Sequence, residues 1–174
     1  ATTAIYTNSL VNTQLQSLLT VDQSIHWADP LHITAANNCV NAPPLGPPLA
    51  PACNQPYLGP IPTVVHLHGN EVLSQYDGHP DAWFTPGLGL KGPAFVTNRY
   101  NYVNTQEATT LWFHDHTLGV VRSNVYAGLA GFYFIRDNRD TGAANNPITL
   151  PAGDQEVELM LQDRQFDTNG QLYF

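Results

Sequence analysis

Four of the chain's seven histidines stand in two His-x-His pairs. His66 and His68 close the run Thr63-Val-Val-His-Leu-His-Gly69, and His114 and His116 close Thr110-Leu-Trp-Phe-His-Asp-His116. Imidazole is a ligand for zinc, copper, iron and nickel, so a metal site is the chemistry to expect. Each run is apolar and β-prone. In a strand, residues i and i+2 point to the same face, which gives each pair a shared face. If the two strands are neighbours, about 5 Å apart, the four imidazoles converge on one patch. A lone His-x-His on a strand is more often structural than metal-binding; two of them closing two apolar runs reverse that balance. Leu67 and Asp115 lie between the paired histidines and face the other way. Leu67 is then core, while Asp115 needs a polar partner there and reads as a hydrogen-bonded support for the ligands rather than a ligand itself.

The elements that must carry these residues belong to an all-β domain. The chain has 174 residues, enough for one domain with a proper core and not comfortably two. Fourteen Pro and 13 Gly, with many Thr, Val, Tyr and Asn, favour short strands and many turns. Only 11% of residues are charged, six are Lys or Arg, and the formal net charge is −8. No basic patch can be assembled from so few cations, which argues against nucleic acid and anionic membrane surfaces as partners. No apolar run approaches the roughly 20 residues that span a bilayer. No signal peptide is visible at Ala1, so any leader is expected to have been removed or to lie outside this sequence.

Pro62 to His68 reads as the first ligand strand. Gly69 follows where a side chain would crowd whatever the histidines hold. Asn70 to Pro80 is polar with Asp77-Gly78 as its turn signal; Asp77 is either a turn former or an acid serving the metal patch, and His79 faces solvent. Phe95 to Val103 alternates and is expected to be a strand antiparallel to Thr109–His114, joined to it through a turn at 104–108. Thr117 to Tyr126 is the one short helix, and Gly128 to Arg136 a strongly apolar strand. Residues 137–154 form a loop, Glu156 to Gln162 alternates as a strand, and Asp167 to Gly170 is a hairpin-type turn leading into another strand. His26 and His32 lack paired spacing and read as surface or hydrogen-bonded residues. Cys39 and Cys53 flank the Pro-rich stretch Asn41 to Pro51, inside a loop over 37–62 that is longer than most connections. A disulfide would staple it, worth on the order of 3 kcal/mol; the alternative is two exposed thiols open to oxidation. The disulfide is the expectation, and with it a secreted or periplasmic protein.

The pairs His66-Leu-His68-Gly69 and His114-Asp-His116 resemble the first two copper motifs of the multicopper oxidases. Val64-Val-His-Leu-His-Gly69, Asp77-Gly-His-Pro-Asp-Ala-Trp83, Leu111-Trp-Phe-His-Asp-His116, Asn124-Val-Tyr-Ala-Gly128 and Gln162-Asp-Arg164 look like the branch containing the bacterial spore-coat laccase, bilirubin oxidase and phenoxazinone synthase. The resemblance is dense from about Leu19 onward. It implies a cupredoxin-like Greek-key β-barrel or sandwich, the first domain of a three-domain oxidase, spanning residues 1–162. Residues 163–174 would begin the connection to a second domain, and the family's opening strands match poorly before Thr20. It also implies an enzyme that oxidises a small reducing substrate one electron at a time and reduces O₂ to water. By position, His66 would serve the type 2 copper, His68 and His114 one type 3 copper, and His116 the other. Asp77 matches an acid near the cluster, with a proton-handling role.

Two further His-rich motifs and a type 1 copper site complete such an oxidase, and neither is found here. Cys39 and Cys53 lie far from a suitable histidine, and the single Met160 sits in no ligand pattern. The chain therefore reads as one piece of an oxidase whose second and third cupredoxin domains supply the rest. Two rivals stand beside this reading. A mononuclear zinc hydrolase would use His-x-His pairs to activate water, but the expected αβ alternation is missing. A non-catalytic copper-binding cupredoxin-like domain would keep the histidines without the oxidase.

Overall fold

The computed structural model describes residues 21–23, 25–32, 57–170, 172 and 173. Cys39, Cys53 and most of the Pro-rich loop fall outside the described residues, as does the segment before Val21.

The organising element is the strand formed by Thr109–Asp115, β2, whose β-branched and aromatic residues suit a pleated surface. It lies between β1, Val65–His68, and β3, Ala130–Ile135, in an antiparallel sheet of order β1-β2-β3. The register pairs His66 with His114, Leu67 with Phe113 and His68 with Trp112. On the other side it pairs Trp112 with Phe132 and His114 with Ala130. Period-2 alternation does the sorting. Val65, Leu67, Leu111, Phe113 and Ile135 turn to one face, where they join Leu129, Tyr100, Tyr102 and Tyr133 in two small apolar clusters. A third cluster, around Val21, Trp27, Tyr57 and Val120, packs the 21–32 segment against the chain that leaves β2. The Ala28 N–H donates to Leu118 O at 2.9 Å within it.

The short helix α1, Val121–Tyr126, is the core of the expected 117–126 helix. It bridges β2 and β3: Asp115 N–H donates to Leu129 O and Leu129 N–H to Asn124 O, both at 3.0 Å. Asn124 Nδ2 also donates to Pro62 O at 3.0 Å, which ties the helix to the chain entering β1. The turn at Asp167–Gly170 forms as expected, closed by Gly170 N–H to Asp167 O.

Two expected strands are not strands. Residues 95–103 carry no ladder, and the reason is topological, since both edges of β2 are taken by β1 and β3. Their alternation is real in another sense: Tyr100 and Tyr102 both pack under the sheet, on separate clusters. Thr97 Oγ1 meanwhile takes the Arg99 N–H at 3.0 Å, a local bond that competes with strand pairing. Glu156 to Gln162 likewise forms no ladder, and Leu159 and Leu161 stand exposed. The described residues thus show an antiparallel sheet with one short helix, consistent with a cupredoxin-like fold. No helix among them is long and apolar enough to cross a membrane.

Candidate metal centre

The face of the sheet opposite the core carries the four histidines. The His66 ring centroid lies 5.5 Å from His68, 5.4 Å from His114 and 4.8 Å from His116. His114 is 5.6 Å from His68 and 5.7 Å from His116. Ligand atoms of His66, His68 and His114 all lie within 4.8 Å of one another, a grouping that could hold a metal ion. His116 stands just beyond this compact trio. The expectation that strand spacing would bring both pairs to one patch is thus met by a register that sets His66 directly against His114.

Three rings are fixed by backbone carbonyls. His66 Nδ1–H donates to Asp77 O at 2.5 Å, His116 Nδ1–H to Gly78 O at 3.1 Å, and His114 Nδ1–H to Asp115 O at 2.7 Å. A carbonyl only accepts, so Nδ1 carries the proton and the Nε2 lone pair is left for a metal. His68 differs: its Nδ1–H donates to His114 Nε2 at 3.4 Å, a long bond between two rings of the cluster. The Asp77-Gly78 turn is therefore more than a connection. Its two consecutive carbonyls hold two of the imidazoles, and the Asp77 carboxylate stands 3.3 Å from His66 Nδ1, about half exposed. Asp77 thus stands in the turn with its carboxylate beside the patch. No letter of the sequence announced the carbonyl contacts.

Gly69 has a different rationale from the expected one. Its φ of +86° is left-handed, and a Cβ there would meet Leu111 at 3.0 Å, on the core side rather than the histidine face. His26, His32 and His79 are exposed, and His79 lies 4.0 Å from the Asp81 carboxylate.

Asp115 is wholly buried behind the ligands. Its carboxylate accepts from Val64 N–H at 3.0 Å, Thr117 N–H at 3.1 Å and Thr117 Oγ1–H at 2.8 Å. Burial pushes the carboxyl up to about 6, against the opposing pull of these donors and of Asn124. It is still ionised at pH 7, and its charge is satisfied by the three bonds. Asp115→Asn puts an NH₂ where one N–H must donate, so it is expected to cost about 1–3 kcal/mol. Chemical denaturation checks this; a loss under half a kcal/mol (roughly the background for exposed sites) would show that the three bonds carry little.

Burial, followed by the neighbouring histidines, holds His114 and His116 below the ordinary histidine value; the His114 and His116 carbonyl bonds oppose it only in part. Both imidazoles are therefore neutral and ready to ligate at pH 7. The sign follows from linkage. A depressed folded-state value means that the unfolded chain protonates first, so stability from these groups is lost as pH falls through about 6.5. Protons also compete with metal for the same nitrogens. Copper affinity is expected to fall in acid, with an onset below the ordinary histidine value of about 6.5 because burial holds both rings lower, measurable by titration from pH 8 down to pH 4; a flat profile over that whole range would exclude imidazole ligation.

Neutral imidazoles suit copper among the borderline divalent metals, and the trio forms a partial histidine site of that kind. Known proteins bear on the identity of the chain. The family profile described as multicopper oxidase matches residues 54–140. A multicopper oxidase, LPR1 homolog 1, of Oryza sativa subsp. japonica is 48% identical over 119 residues, covering 68% of this chain and 20% of the relative. A laccase of Bacillus stratosphericus is 44% identical over 114 residues, covering 66% and 21%. The crystal structure of a McoA multicopper oxidase variant from Aquifex aeolicus superposes with a TM-score of 0.50 at 26% identity, covering 65% of this chain and 23% of that one. The chain spans about a fifth of the length of these relatives. With the histidine pairs lying inside the matched region, this chain belongs to the multicopper oxidase family.

Proposed function

We propose that the chain contributes half of the ligands of a trinuclear copper cluster in a laccase-like multicopper oxidase. The observation that carries this is the convergence of four imidazoles on one sheet face, three of them tied through Nδ1 to backbone carbonyls. In this reading His66 serves the type 2 copper, His68 and His114 one type 3 copper, and His116 the other. Copper there would couple one-electron oxidation of a small reducing substrate to the four-electron reduction of O₂ to water. The chain's own residues orient the ligands: the 77–78 carbonyls hold His66 and His116, and Asp115 braces the strand that carries His114 and His116. The half-exposed Asp77 carboxylate, beside His66 and open to solvent, can carry protons between bulk water and the buried face.

The remaining ligands and the type 1 copper are assigned to a second and third cupredoxin domain, which fits relatives of which the match covers only about a fifth. Residues 1–162 would be the first cupredoxin-like domain, its sheet closing into a barrel, and 163–174 the start of the link. The five motifs quoted above favour the spore-coat laccase and bilirubin oxidase branch, and a disulfide between Cys39 and Cys53 would fit an exported enzyme.

Anomalous diffraction at the copper edge tests this on the full-length protein. Copper peaks beside all four histidines, completed by histidines from elsewhere in the protein, are expected. A single copper held only by His66, His68 and His114 would replace the oxidase with a copper-binding domain. A peak that follows the zinc edge would overturn both.

A further inference from the structure

One aromatic residue stands inside the histidine face. Trp112 is opposite His68 in the β1–β2 register and two residues before His114 on β2, so its side chain borders both rings, which themselves stand 5.6 Å apart. The indole stacks on His114 at 4.2 Å and 28° between planes, and on His68 at 5.3 Å and 28°. It is 36% exposed, although a large aromatic is usually turned inward.

The two stacked histidines are held differently. His114 has its carbonyl bond to Asp115, as His66 and His116 have theirs to the 77–78 turn. Among the described residues, His68 has no carbonyl partner for either ring nitrogen; its Nδ1–H donates only a long bond, 3.4 Å, to His114 Nε2, and the ring is exposed. The torsion that turns an imidazole about its Cβ–Cγ bond is broad. An unrestrained His68 would present Nδ1 and Nε2 by turns, and ordering it would be charged against metal affinity.

We infer that Trp112 is the positioning residue for His68: its indole face takes the place of the missing carbonyl and keeps Nδ1 aimed at His114 Nε2. The inference rests on the metal-centre reading for its purpose, but not for its physical content, because the ring would be held before any metal arrives. A plain apolar cover would behave differently. Leucine and phenylalanine both shrink the indole, but only phenylalanine keeps a flat π face with a preferred geometry against a neighbouring ring.

The test compares Trp112→Leu with Trp112→Phe in the full chain. Histidine side-chain ¹³C relaxation on chelator-treated protein is expected to show the His68 ring ordered in the wild type and in Trp112→Phe. In Trp112→Leu its order parameter should fall below about 0.6, with His66 and His116 unchanged because their carbonyls remain. Copper titration of the same proteins should show a loss of about tenfold for Leu and recovery of affinity with Phe. A His68 ring equally ordered in both variants, or equal affinity losses in both, overturns the inference. A wild type that binds no copper overturns the metal-centre reading instead, and the relaxation comparison still decides the role of Trp112.

Discussion

His114→Ala is expected to lower copper affinity by at least about 100-fold, beyond the loss typical of a residue that only supports a ligand. His114 is central in the face: its ring is within 5.7 Å of each of the other three. Its Nε2 is also the atom that His68 Nδ1 faces at 3.4 Å. Without it, His66 and His68 remain 5.5 Å apart but have lost the third nitrogen of the compact trio. The fold should tolerate the change better than the site does. His114 gives up one bond to the adjacent Asp115 carbonyl and its stack on Trp112, but the core lies on the opposite face. Copper titration with a parallel unfolding curve separates the two effects. His79→Ala is the control, because that ring is exposed and outside the cluster. If His114→Ala retained wild-type affinity, the metal would have to bind elsewhere.

How much of this was legible in the sequence differs by level. The clustering of the histidines was legible because strand geometry is simple: a period of two turns His-x-His into a shared face, and two apolar runs ending alike invite pairing. β3 and α1 were legible for similar reasons, through an unbroken apolar run and a short stretch flanked by Gly119 and Gly128. The partners of a strand were less so. Residues 95–103 have the alternation of a strand and even its inward tyrosines, but nothing in the letters says that β1 and β3 occupy both edges of β2. The supports of the site were hardest to see. Asp115 could be foreseen, since a buried acid needs donors. The carbonyls of Asp77 and Gly78 could not, because a backbone oxygen has no letter. Trp112 was visible as the residue two places before His114, yet its stack on His68 needed the register. Gly69 shows the reverse error, a glycine explained by the ligands that is required by its own left-handed backbone.

Gly78→Ala should damage the fold and the histidine site together. At φ +82° an L-residue is strained by about 1–2 kcal/mol before any contact is considered. Contact then adds more: the new Cβ would lie 2.1 Å from Val65 O, 2.7 Å from Val65 C and 3.0 Å from the His66 Cα. These are backbone atoms of β1, held by its ladder to β2, so they cannot give way as a side chain tip can. The 77–78 turn must lift off the strand edge, for a total of about 3–5 kcal/mol. In lifting, it withdraws both carbonyls that fix His66 and His116, so copper affinity should fall by about 10- to 100-fold as well. Gly87→Ala separates strain from contact. Gly87 also has a left-handed φ, +66°, but a Cβ there meets nothing within 4 Å. It should lose only the conformational part, about 1–2 kcal/mol, and leave copper binding intact. Thermal unfolding and copper titration of both variants give the comparison. Equal losses in the two would mean that the turn does not press on β1, and that His66 and His116 are held by something other than its carbonyls.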